Sequence, residues 1–128
     1  MLFREMIAYK YRFHGHGSLR YLYRNGQTAR SRALLLRYIT NPRRVESRAV
    51  VIVSKKVVKS AVKRNRIRRR IYEILRRHWP RLVKQVDFSV TVFASEVGTM
   101  PPSELEDMVL DVLHQANLIT SPGRPLAD

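Results

Sequence analysis

The residues best suited to chemistry here are cations rather than catalytic groups. Between Lys55 and Lys84 the chain carries 13 Lys or Arg and one acid, Glu73. Arginine dominates from Lys63 to Arg81, and its planar fork suits bidentate contact with phosphate oxygens and stacking on bases. At helical spacing, Ile67, Ile71, Ile74 and Leu75 fall within an arc of about 100° and predict the face that packs on a sheet. The opposite face carries Asn65, Arg69, Tyr72 and Arg76, with Arg64, Arg66, Arg68, Arg70 and Arg77 on the flanks. Like charges at i and i+4 repel, so this helix needs both its packed face and an external anion.

Other constellations carry less. His14 and His16 flank Gly15 with no carboxylate or cysteine close by, too few ligands for a metal. Asp107 and Asp111 form an i, i+4 carboxylate pair that reads as a solvated, acidic helix start rather than a Mg²⁺ site. His78 and His114 read as surface or boundary residues. No Ser/His/Asp set, Gly-rich phosphate loop or HExxH motif occurs, so no catalytic residue and no metal ligand is expected on this chain. Tyr21, Tyr23 and Tyr38 fit either a half-buried packing role or base stacking.

Charge divides the chain. Residues 1–84 hold 24 of the 25 Lys+Arg and 3 of the 10 Asp+Glu, a sum of +21, while residues 85–128 sum to −6. Positive charge so concentrated points to a polyanion, with nucleic acid ahead of an acidic membrane surface or an acidic protein. Absence of cysteine excludes a disulfide framework, a thiolate zinc site and a cysteine nucleophile. No apolar run is long enough to span a bilayer and no secretory leader is read at the N-terminus, so a cytoplasmic protein is expected, with no membrane partner.

These side chains need a scaffold, and 128 residues with 45% hydrophobic content suffice for one domain with a real core. A short helix is expected over Leu19–Arg24, capped by Ser18 and closed by Asn25-Gly26 through left-handed backbone. Thr28 to Ile39 reads as extended, surest from Leu34, and a turn follows at Asn41-Pro42-Arg43-Arg44. Arg48–Val53 reads as a strand buried on both faces. The basic helix runs from Ser60 to His78 and stops before Pro80. Asp87–Ala94 alternates with period two as a strand. A last helix begins at Pro101-Pro102 with Ser103 as N-cap, runs to about Leu118, and buries Leu105, Met108, Val109, Val112 and Leu113. Residues 120–128 read as a frayed tail. The expected fold is α/β (α+β), a single mixed sheet with three helices in the order α-β-β-β-α-β-α.

Ser54-Lys55-Lys56 followed by Ala61-Val62-Lys63-Arg64-Asn65-Arg66-Ile67-Arg68-Arg69 resembles the signature of the bacterial ribonuclease P protein component. The likeness covers roughly residues 10–118, taken as the core of a single RNA-binding domain over 1–128. Two departures stand out. The family usually has a glycine two residues after Ser-Lys-Lys, where this chain has Val57-Val58-Lys59-Ser60, and it tends to place an arginine where Tyr72 stands.

The resemblance implies an RNA–protein endoribonuclease whose large RNA does the chemistry, removing the 5′ leader of precursor tRNA with Mg²⁺ held mainly by RNA. It implies a left-handed strand–helix–strand crossover. It assigns Lys55, Lys56, Arg64, Asn65, Arg66, Arg68, Arg69, Tyr72 and Arg76 to the catalytic RNA. Leu19, Tyr23 and Tyr38 are assigned to a cleft for the single-stranded leader, where aromatic faces stack unpaired bases. The competing readings are a ribosome-associated type of structured-RNA-binding protein with no enzymatic partner, and a DNA-binding regulator.

Overall fold

A computed structural model describes residues 16–43, 46–83 and 85–119. His14, Gly15, Arg44, Lys84 and the tail from Thr120 to Asp128 lie outside the described residues. The elements are α1 (His16–Asn25), β1 (Gln27–Arg30), β2 (Leu34–Thr40), β3 (Arg48–Val53), α2 (Ala61–His78), β4 (Val86–Val92) and α3 (Pro102–Gln115). Short 3-10 turns occupy Trp79–Arg81 and Ser95–Gly98. This is the expected mixed α+β order.

The four strands form one sheet in the order β1-β2-β4-β3. β1 and β2 are antiparallel, β2 and β4 are antiparallel, and β3 runs parallel to β4. Register places Leu36 and Val51 on either side of Val90, so Leu34, Leu36, Val51, Val53, Phe88, Val90 and Val92 share one face. That face meets Ile67, Ile71, Ile74 and Leu75 of α2 and Leu105, Met108, Val109, Val112 and Leu113 of α3 in one buried cluster. Trp79 stacks on Phe88 there, with ring centroids 6.0 Å apart. Both predicted apolar stripes are buried as expected.

The ends of the elements differ from expectation for local reasons. α1 already includes Ser18, so that residue is inside the helix rather than at its cap. Gly26 closes α1, its N–H bonding Leu22 O at 2.8 Å, but through close approach rather than left-handed backbone. A Cβ at Gly26 would stand 2.6 Å from Leu22 O and 3.0 Å from Tyr38 O, a clash with two backbones. The long extended segment divides at Ser31–Ala33, where the Ser31 N–H bonds Leu34 O at 2.9 Å to turn β1 into β2. Pro101, not Ser103, caps α3, because Pro102 supplies the fixed φ of a first helical residue. α3 ends at Gln115; Asn117 takes φ 58° and the Leu118 N–H reaches back to Leu113 O at 2.9 Å.

Two polar features correct the one-dimensional reading. β4 alternates in polarity, yet it is central and buried on both sides. Arg48 grips Asp87 through Nε at 3.0 Å and Nη2 at 2.8 Å, and Asn41 adds a third bond at 2.9 Å. Tyr72 does not face outward with Asn65, Arg69 and Arg76; it is 3% exposed. It lies only about 60° around the helix from Leu75, within reach of the sheet. β3 is an edge strand, and its outward Val51 N–H donates to the Tyr72 hydroxyl at 3.0 Å. Tyr72→Phe removes that acceptor and strands a buried donor, so denaturant unfolding should show a loss of about 1–3 kcal/mol with the fold intact. An unchanged midpoint would remove the hydroxyl from any role in holding α2 on β3.

Candidate nucleic-acid interface

Ser60 starts α2, its hydroxyl accepting from the Lys63 N–H at 3.3 Å. With the isoleucines turned into the core, Asn65, Arg66, Arg69, Arg76 and Arg77 are left on the outer side, all exposed. They do not have equal freedom. Arg76 pairs with Glu73, which holds that carboxyl below the usual carboxylate range through the hydrogen bond it accepts. Arg77 reaches Glu106 at 3.0 Å, and Arg68 donates to the side-chain Oδ1 of Asn65. Arg66 and Arg69 meet no carboxylate among the described residues. They are the guanidiniums most open to a phosphate.

Other arginines of α2 hold the scaffold. Arg64 donates from one Nη to Val58 O at 2.9 Å and Lys59 O at 2.8 Å, fixing the loop that follows β3. That loop displays Lys55 and Lys56, both exposed, and is closed by the Val58 N–H on Ser54 O at 3.1 Å. Arg70 donates to Val97 O at 2.8 Å, to Gly98 O at 3.3 Å and to Met100 O, tying the 95–100 segment to α2. Sequence spacing placed Arg64 and Arg70 on the flanks but could not show that their partners are backbone carbonyls, those of the preceding loop for Arg64 and those of a segment some thirty residues on for Arg70.

A second surface lies on the sheet face away from α2 and α3. Alternation from Leu36 puts Leu35, Arg37 and Ile39 there, opposite Thr91, Ser89 and Asp87 of β4, with Val50 and Ile52 of β3 alongside. α1 stands over one side of it, with Leu22 buried apart from the main core and Leu19 half-buried. Tyr23 is 44% exposed, and Arg37 lies over its ring with the guanidinium carbon 4.8 Å from the centroid. Arg30 sits likewise over Phe93 at 5.4 Å. Tyr21 lines a depression of about 540 Å³ with Ile39, Asn41 and Arg43, closed below by the Arg48–Asp87 pair.

Tyr38 belongs elsewhere. It shares the face of Leu34 and Leu36, half-buried against the core, so the structure does not bring it to Leu19 and Tyr23. Arg30, Arg37 and Phe93 take its place on the open face, and sequence reasoning missed all three. Strict alternation carried one residue beyond the buried Leu34 and Leu36 would have found Arg37.

The family model described as Ribonuclease P matches residues 7–117. The chain belongs to the ribonuclease P protein family. It is 35% identical over 112 residues to the ribonuclease P protein component of Chloroflexus aurantiacus, across 88% of this chain and 82% of that one. The fold superposes on the Staphylococcus aureus RNase P protein with a TM-score of 0.77 at 24% identity, over 86% of this chain and 98% of that one. The Thermotoga maritima RNase P protein gives 0.72 at 18%, over 81% and 96%. Family membership makes the chain the protein part of an endoribonuclease, with the ribonuclease P RNA as partner, acting in tRNA 5′ maturation. A ribosome-associated role without an enzymatic partner is not favoured.

No group of three or more His, Asp or Glu side chains among the described residues stands together to hold a metal. No described helix is long and apolar enough to cross a membrane.

Two outcomes follow from the charge pairs. Glu73→Gln releases Arg76, so affinity for the ribonuclease P RNA should rise and its salt dependence should steepen by about one counterion. A titration across salt concentrations measures both, and an unchanged slope would place Arg76 outside the RNA contact. Glu106 ties α3 to α2 and is held below its ordinary range first by the His78 hydrogen bond at 2.8 Å, then by Arg77. Because the folded value is depressed, this stability is fully present above the ordinary carboxylate value of 4.5 and is lost as pH falls through the lower folded one. Glu106→Gln should therefore cost under about 1 kcal/mol near neutrality, the pair being partly solvated, with the difference vanishing in strong acid. Melts of both proteins across pH test this.

Proposed function

We propose that this chain binds the ribonuclease P RNA with the outer side of α2 and the Lys55-Lys56 loop, and the 5′ leader of precursor tRNA with the open sheet face. Chemistry then belongs to the RNA, which holds Mg²⁺, and the assembly is cytoplasmic. The observation that carries the reading is the physical difference between the two surfaces. The α2 side offers a row of exposed guanidiniums, as a structured backbone of phosphates requires. The open face offers aliphatic side chains bordered by arginine–aromatic pairs, which take unpaired bases with little demand for sequence.

In this reading Arg66 and Arg69 contact phosphates, Asn65 is oriented by Arg68, and Arg64 acts by placing the Lys55-Lys56 loop. Tyr72 contributes by fixing the rotation of α2 on the sheet rather than by touching RNA. On the open face Tyr23 supplies a stacking surface already held by Arg37, and Leu19 and Leu22 seat α1. Phe93 with Arg30 extends the same chemistry toward β1. Tyr38 supports β2 from beneath. The protein then raises the local concentration of precursor at the catalytic RNA by binding both.

Reconstitution tests the whole. The purified chain should cleave no precursor tRNA alone and should lower the magnesium that the RNA requires; cleavage by RNA-free protein would defeat the assignment. Tyr23→Ala should weaken binding of a long-leader precursor by about 1–3 kcal/mol. It should leave mature tRNA unaffected, with an unchanged melt. Parallel losses for long and short leaders with an early melt would make Tyr23 a packing residue.

A further inference from the structure

Between the loop after β3, the first turns of α2 and the 95–99 turn lies a pocket of about 410 Å³. Val57 and Ile67 form its apolar floor, and Lys59, Lys63 and Arg66 stand on its rim, with no carboxylate in the lining among the described residues. We propose that this pocket receives one unpaired nucleotide of the ribonuclease P RNA, the base on the floor and its phosphate among the three cations. The inference rests on the α2 side being the surface for that RNA.

Apolar floor and cationic rim together match a nucleotide better than either matches anything alone. A bare phosphate gains nothing from Val57 and Ile67, and an apolar side chain of a protein gains nothing from three cations. A base offers flat, weakly hydrated faces that lose little by leaving water, while its phosphate requires charge at the mouth. The volume lies within the range of pockets for small organic ligands, about 300–1,000 Å³. Among the described residues the Arg66 guanidinium, like that of Arg69, is engaged by no carboxylate, side-chain amide or backbone carbonyl, so the rim runs directly into the proposed phosphate contacts.

Both walls are set in advance. Arg64 holds the Val58 and Lys59 carbonyls, and Arg70 holds those of Val97 and Gly98, so α2 grips each side of the opening. Little ordering is then left to oppose binding. Gly98 completes the site by lacking a side chain. Its backbone is outside the left-handed region, and an added Cβ would meet Ile67 Cδ1 at 3.5 Å and Cγ1 at 3.9 Å, both ordinary contacts. A side chain can therefore start from Gly98 without a clash at its Cβ, directed at the Ile67 that floors the pocket.

Gly98→Leu fills the pocket without altering charge. In the full chain titrated with ribonuclease P RNA, it should lower affinity about tenfold, the loss of one base-stacking site. The melt and the slope of affinity against salt should stay as in the unaltered protein. A photoreactive benzoylphenylalanine in place of Thr99, irradiated in the assembled complex, should label one nucleotide or two adjacent ones. Equal affinity for Gly98→Leu at an unchanged melt overturns the proposal, as does labelling that is absent or scattered along the RNA. If Gly98→Leu melts early, the crosslink decides alone. Failure of the unaltered chain to bind this RNA would overturn the assigned RNA surface itself, a result distinct from failure of the pocket.

Discussion

Parallel pairing of β3 with β4 requires the chain to travel back along the sheet between them, and α2 is that return path. Everything basic follows from the way this helix must lie. Ile67, Ile71, Ile74 and Leu75 enter the core, which turns Arg66, Arg69, Arg76 and Arg77 to the far side and leaves Arg64 and Arg70 on the flanks. The free edge of β3 adds a further demand, since Val51 presents an N–H away from β4, and Tyr72 meets it. A helix so charged would unwind alone through its own repulsion; packed on an apolar sheet it becomes a rigid row of guanidiniums.

Arginine serves two ends in one segment. Arg64 and Arg70 spend their donors on backbone carbonyls of neighbouring loops, where five N–H groups in a fixed plane can satisfy several acceptors together. Arg48 goes further, buried in a bidentate pair with Asp87 that also engages Asn41. Breaking such a pair leaves a charge without its partner in a dry site, so it defines the register of β3 on β4 as much as it stabilises it. The cations left to the solvent are held by what these others brace.

The sheet separates the two surfaces. On one face β4 contributes Phe88, Val90 and Val92 to the core, and on the other the buried Ser89 and the half-buried Thr91 lie beneath the region bordered by α1. α1 packs over β2 through the buried Leu22 and leaves Tyr23 at the border, where Arg37 lies over its ring. In the proposed reading, the two RNA partners are bound on opposite sides of the sheet without competing for the same cations.

Much of this was legible in the residues. The element order, both buried stripes, the strand at 48–53 and the basic helix from Ser60 to His78 follow from periodicity, because burial of an apolar face is decided by local spacing. The block from Arg64 to Arg69 was a specific enough pattern to indicate the family. Facing of individual side chains was not legible. Tyr72 looked outward by position on the helix, yet the free N–H of a strand twenty-one residues earlier draws it in. Tyr38, assigned to the leader cleft, lies on the core face, and its neighbour Arg37 on the other, for a similar reason: a one-residue step reverses the side of a strand, and only pairing with β4 determines which side is covered. Composition alone determined that this chain is a cation seeking a polyanion. Which arginines remain available for that encounter was decided by long-range partners, since a guanidinium's role depends on the carbonyls and carboxylates that the fold brings within 3 Å of it.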